Sequence, residues 1–224
     1  IQFAGLGWFF RYEAHLVALG LSAISAALAC GLPILPGAFG PRRLSAPARA
    51  VAALVVLALT TPLATRGVRS VQSTPLAMRS IYEQQYQMAR FVRAHFHDRG
   101  IAVNDLGAVG YYGRARVEDL FGLATSTIAR AKLERRYDTA FIERYCAAQG
   151  VEVALVYESW FAGANSLPRS WRALARWTIR DNVIVGDTTV TIFATQAASA
   201  GRVRAAVHAF VPTLPHRIRV ELLE

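Results

Sequence analysis

Lysine is almost missing from this chain: of 25 basic residues only Lys132 is lysine, and the rest are arginine. A nucleic-acid surface usually gathers Lys and Arg on one face. Here the arginines are scattered and sit beside acids, as in Glu134-Arg135-Arg136 and Glu143-Arg144, so the net charge of +10 does not argue for a nucleic-acid partner. Two cysteines, Cys30 and Cys146, exclude a disulfide scaffold and a cysteine-based zinc site. Charge is scarce as well, at 18% of residues against 54% hydrophobic, which excludes a disordered chain.

The familiar chemical motifs are also missing. Gly107-Ala-Val-Gly110-Tyr-Tyr-Gly113 has the wrong spacing for a phosphate loop, and no Gly-x-Ser-x-Gly elbow occurs. His95 and His97 are two apart on an expected helix, where side chains diverge by about 200° and cannot share a metal. No cofactor and no metal is expected.

Long uncharged runs are present. The first covers residues 14–39, and its helical part, 14–32, ends at Gly31 and Pro33. At 1.5 Å per residue it would reach about 28 Å, close to a bilayer's hydrocarbon core. A second uncharged run, 50–65, follows a loop carrying Arg42, Arg43 and Arg49, and makes a span of about 46–65 if Arg49 snorkels to the headgroups. Two transmembrane helices are therefore expected within residues 1–69, with the basic loop cytoplasmic by the positive-inside rule. Residues 70–224 would form an extracytoplasmic domain. Because the chain opens on Ile1 inside an apolar run, it is expected to be a fragment of a longer, multi-pass protein.

The remaining residues alternate between helical and extended patterns, which predicts a Rossmann-like layered α/β domain with a mixed sheet. Thr74-Pro75 reads as a helix start and Gly100 as its stop. Strands are expected at 101–104, 107–112, 115–117, 151–157, 177–185, 188–195 and 217–222, with Gly186-Asp187 as a two-residue hairpin turn. Helices are expected over 138–149, around 168–175, and from Ser199 or Ala200 to near Pro212.

Two segments place an acid just after an apolar strand: Asn104-Asp105-Leu-Gly-Ala-Val-Gly-Tyr-Tyr-Gly and Val117-Glu118-Asp119-Leu-Phe-Gly-Leu. In open α/β sheets ligands bind at that end of a strand. Asp105 and Asp119 are thus candidate substrate-binding residues, with Tyr111 and Tyr112 as a stacking wall. The competing expectation is that both carboxylates accept backbone N–H groups in turns. Arg11 and Tyr12, at the outer end of the first expected span, are further candidates for a lipid phosphate.

The order Trp8-Phe-Phe-Arg11-Tyr12-Glu13-Ala-His-Leu, then Ile81-Tyr82-Glu83-Gln84-Gln85-Tyr86-Gln87-Met88, then the two acid-bearing segments, resembles the C-terminal part of bacterial polytopic glycosyltransferases of the GT-C class. The resemblance implies a transferase in the bacterial cytoplasmic membrane. It would move a sugar from a polyprenyl-phosphate donor to an envelope glycan or lipid acceptor, with the bilayer as a further partner. It also implies a catalytic acid upstream of Ile1, leaving this part as an accessory or acceptor-side domain. A non-catalytic membrane-anchored receptor or scaffold is the alternative.

Overall fold

A computed structural model describes residues 14–29 and 45–223. The chain divides after Pro75 into two units. The first carries helix α1 (Ala14–Ala29) and most of α2 (Ala46–Ser80).

The expected membrane helices are overturned. Among the described residues no helix is long and apolar enough to cross a membrane. α1 has 16 residues, or about 24 Å of helix against a hydrocarbon core of about 30 Å. The uncharged stretch of α2 is equally short, and the helix then runs on through Arg66, Arg69 and Gln72. It also passes through Pro75, so Thr74 is no N-cap: its hydroxyl donates to the Ser70 carbonyl within the helix (2.8 Å).

The second unit, residues 76–224, is an α/β domain. A π-helical turn, Ile81–Tyr86, follows α2 and leads into α3 (Gln87–His95). Then come β1 (Gly100–Val103), α4 (Gly107–Tyr112), β2 (Arg116–Asp119), α5 (Ser126–Leu133), α6 (Thr139–Ala148) and β3 (Val151–Val156). The chain closes with β4 (Arg172–Thr178), β5 (Thr189–Ala194), α7 (Ala200–Phe210) and β6 (Arg219–Leu222). The six strands form one mixed sheet in the order β2-β1-β3-β5-β4-β6. β1 pairs in parallel with β2 and β3, and the pairings among β3, β5, β4 and β6 are antiparallel.

Strand alternation sorts the core into two layers. Ile101, Val103, Val153, Leu155 and Ile192 meet α3, α4 and α7 through Met88, Phe91, Val109, Val203 and Phe210. Ala102, Ala154, Val156 and Phe193 face the other way, onto Ile128 and Ala131 of α5 and Ile142 and Cys146 of α6. Phe91 anchors the first layer, its ring 5.3 Å from Trp177 and 5.4 Å from both Phe96 and Phe210. Truncation to Ala there would cost about 3–5 kcal/mol. Asp138 caps α6 through the Phe141 N–H (2.7 Å), a bond whose loss costs about 1 kcal/mol. At Gly100 an added Cβ would lie 2.6 Å from the Gly150 carbonyl, so the start of β1 admits only glycine without a shift.

Three local expectations need correction. Residues 107–112 are helical, because β1 and β2 run parallel and only a crossover element can join them. Residues 172–178 are a strand rather than part of a short helix, with Leu174, Ala175 and Trp177 buried. β4 and β5 do pair antiparallel, but residues 179–188 join them instead of a two-residue turn at Gly186-Asp187.

Candidate functional site

The chain leaves β1 through α4 on one face to reach β2, and leaves β2 through α5 and α6 on the other face to reach β3. The winding therefore reverses between β1 and β3. In open α/β sheets the crevice beyond the strand ends at such a point is where ligands bind. Asn104 and Asp105 follow β1 there, and Tyr157 and Glu158 follow β3. β5 runs antiparallel to β3, so its start brings the 179–188 loop to the same end.

The π turn supplies the third side. It buries three consecutive residues, Glu83, Gln84 and Gln85, although successive residues on a helix point about 100° apart. Each has its own partner. Glu83 receives the Arg217 guanidinium at 3.1 Å, and Arg217 also holds Asp181 at 2.9 Å. Gln84 donates to the Asp187 (2.9 Å) and Thr188 (3.2 Å) carbonyls. Gln85 Nε2 donates to Asp105 Oδ2 at 2.7 Å and to the Tyr157 phenol oxygen at 2.6 Å. π turns inserted in helices are frequent at functional sites.

Tyr157 is the hub. Its side chain is fully buried, its phenol donates to Gln84 Oε1 at 2.7 Å, and its backbone N–H donates to Asn104 Oδ1 at 3.0 Å. Burial, and then the nearby Asp105 carboxylate, push the phenol far above its ordinary value, so it works as a fixed hydrogen-bond relay. Two polar atoms around this hub are buried without a partner: Gln85 Oε1 and Asn104 Nδ2.

Aromatic rings border the crevice. Phe121, after β2, meets Trp160, after β3, with centroids 5.1 Å apart, so the pair spans the two loops that flank β1. Trp160 also packs 5.5 Å from Tyr157. Lys132 of α5 sits 4.5 Å from the Phe121 ring and donates to the Phe121 carbonyl at 2.7 Å. Burial lowers its ammonium's pKa, and the Asp119 carboxylate works against that shift.

The two strand-end carboxylates do different jobs. Asp119 is buried and accepts the N–H groups of Phe121 (2.8 Å), Leu123 (2.6 Å) and Ala124 (2.9 Å), so it holds its own turn. Asp105 is half-buried and faces Gln85 and Tyr157. Tyr111 and Tyr112 sit at the end of α4, about 8 Å along its axis from Gly107. With Tyr82 and Tyr86 they form an exposed aromatic strip, in which Tyr86 and Tyr112 are 5.6 Å apart. Arg11 and Tyr12 lie outside the described residues. Among the described residues no group of three His, Cys, Asp or Glu side chains could hold a metal. His95 packs on Phe91 and Phe210, and His97 pairs with Asp98 at 2.8 Å.

Sequence reasoning did not single out Gln84, Gln85, Asn104, Tyr157, Phe121 or Trp160 as site residues. Gln84, Gln85, Asn104 and Phe121 stood inside quoted motifs, and three consecutive polar residues in an otherwise core-facing helix were the available signal for the first two.

Residues 77–193, just over half the chain, match the model of a family described as a domain of unknown function, DUF8728. The chain belongs to that family. The matched DUF8728 segment runs from the end of α2 to β5, so it contains the π turn, Asn104, Asp105, Tyr157 and the 179–188 loop together. No curated protein and no solved structure matches the chain.

Proposed function

We propose that the α/β unit is a non-catalytic recognition domain for a hydroxyl-rich ligand of the sugar class. It would serve as the acceptor-side part of a sugar-transfer system. The observation that carries this proposal is the end of the sheet beyond β1 and β3, where the amides of Gln85 and Asn104, each with a buried polar atom lacking a protein partner, meet Tyr157, whose ring packs 5.5 Å from Trp160 of the Phe121–Trp160 pair. Sugars present hydroxyls to such amides and apolar ring faces to such aromatics. The resemblance to GT-C transferases supports the same ligand class.

Binding accounts for the side chains better than catalysis does. Asp119 is committed to three backbone donors. The Tyr157 phenol stays protonated at any physiological pH, so it offers neither a base nor a nucleophile. Asp105 already accepts from Gln85.

Calorimetric titration of the full chain with neutral hexoses, pentoses and N-acetylhexosamines tests the proposal. At least one class should bind, and Phe121→Ala should weaken it about tenfold through the lost ring contact. Phe121 is 45% exposed, so the variant should fold. Absence of binding across the whole panel, or binding indifferent to Phe121→Ala, refutes it.

A further inference from the structure

We propose that Asn104 Nδ2 and Gln85 Oε1 are the donor and the acceptor that read an uncharged, hydroxyl-bearing part of the ligand, and that the crevice therefore takes the glycan acceptor and rejects a sugar phosphate. The inference rests on the sugar-class assignment above and adds the polarity of the site.

That polarity follows from a chain of hydrogen bonds. Gln84 Nε2 is fixed by two backbone carbonyls, those of Asp187 and Thr188, so its oxygen must face Tyr157. The Tyr157 phenol has one proton and gives it to that oxygen at 2.7 Å. It can then only accept from Gln85, which turns Gln85 Nε2 toward the phenol and Asp105 and leaves Oε1 on the other side. At the other end of Tyr157, its backbone N–H fixes Asn104 Oδ1, which leaves Nδ2 open. A flip of Asn104 would set donor against donor at the Tyr157 N–H, and a flip of Gln85 would set its oxygen against the Asp105 carboxylate, acceptor against acceptor. Gln85 is 3% and Asn104 4% exposed, and a buried polar group without a partner costs about 1–3 kcal/mol. A third such atom, Trp177 Nε1, belongs to the core around Phe91 and not to the crevice.

One acceptor and one donor, at the two ends of the same tyrosine, suit a ligand that both donates and accepts, as hydroxyls and N-acyl groups do. They do not suit phosphate, which offers acceptors alone at neutral pH and would meet the Asp105 carboxylate. Three cations of the surrounding elements are committed: Arg217 to Glu83 and Asp181, Arg176 to Glu158, and Lys132 to the Phe121 carbonyl and ring.

The test pairs each neutral sugar of the panel with its 1-phosphate, on the full chain, and follows the Asn104 side-chain amide by nitrogen–proton NMR. The neutral member should bind about tenfold more tightly, and the Asn104 NH2 resonances should move on saturation. Asn104→Asp keeps the oxygen that accepts from Tyr157 and removes the donor, so it should weaken neutral-sugar binding about tenfold. Equal or tighter binding of the phosphate overturns the inference. So do Asn104 resonances that stay put at saturation, which would mean that the amide is held by water only. If Asn104→Asp fails to fold, the two wild-type measurements decide. Failure of every sugar to bind removes the ligand class itself, a separate outcome from binding with the wrong polarity.

Discussion

Asp119→Asn is the sharpest perturbation of the crevice's frame. The carboxylate accepts Phe121 N–H through Oδ1 and the Leu123 and Ala124 N–H groups through Oδ2, while its own N–H donates to Thr125 Oγ1. The side chain is buried at 1% exposure. An asparagine has one acceptor oxygen, so in its better orientation it keeps the bonds to Leu123 and Ala124 and points an NH2 at the Phe121 N–H. One charge-assisted bond is lost, worth about 1.5–3 kcal/mol, and a donor is buried against a donor. A total near 2–3 kcal/mol lowers the melting temperature by about 4–12 °C for a domain of this size. Urea and thermal unfolding followed by circular dichroism give the number directly. Sugar binding by the folded fraction should persist, since no atom of Asp119 is left open. A stability loss under about 0.5 kcal/mol would refute the claim that this carboxylate holds the turn.

Gly186→Ala should disturb the opposite wall. An added Cβ would sit 2.5 Å from Trp160 Cζ2 and 2.7 Å from Tyr157 Cε2, and overpacking against rings costs about 1–3 kcal/mol; the readouts are a lower unfolding midpoint and altered tryptophan fluorescence. Burial first, then the Glu118 carboxylate, push the Cys146 thiol up to about 12, so Ellman's reagent should leave it untouched at pH 8 until the protein unfolds. Its linkage has a definite sign: from the ordinary thiol value up to about pH 12 the unfolded chain has released this proton and the folded chain has not, so stability falls as pH rises. Cys146→Ala should flatten that fall by up to about 1.4 kcal/mol per pH unit, seen as denaturation midpoints compared at pH 8 and 10.

Much of the second unit is legible locally. Val151–Val156 is a β-branched run bounded by Gly150, Asp138 announces α6, and the last helix and strand lie near their expected places. α4 is not legible, because Gly-Ala-Val-Gly-Tyr-Tyr has weak helix propensity and only the parallel pairing of its neighbours makes it a crossover. The apolar runs near the start mislead because hydropathy counts residues without regard to where helices begin and end. The roles of the two acids separate on sequence distance. Asp119 finds its partners two to five residues on, within reach of a turn argument. Asp105 meets Gln85 from 20 residues upstream and Tyr157 from 52 downstream, contacts that only the folded sheet creates.

The π turn has a consequence for how this family tolerates length change. A widened turn carries one residue more than the α-helical turn it interrupts. Losing a single residue between 81 and 86 would let the backbone relax to ordinary helix, a cheap change in itself. Yet it would turn the side chains on one flank of the deletion by about 100° relative to the other. Phe91 and Val92 are pinned in the core, so a residue lost after Gln84 would put the rotation on Glu83 and Gln84, which would swing away from Arg217 and from the 179–188 loop. The segment is thus a phase-setting insert, where spacing is constrained more tightly than the identity of its exposed tyrosines.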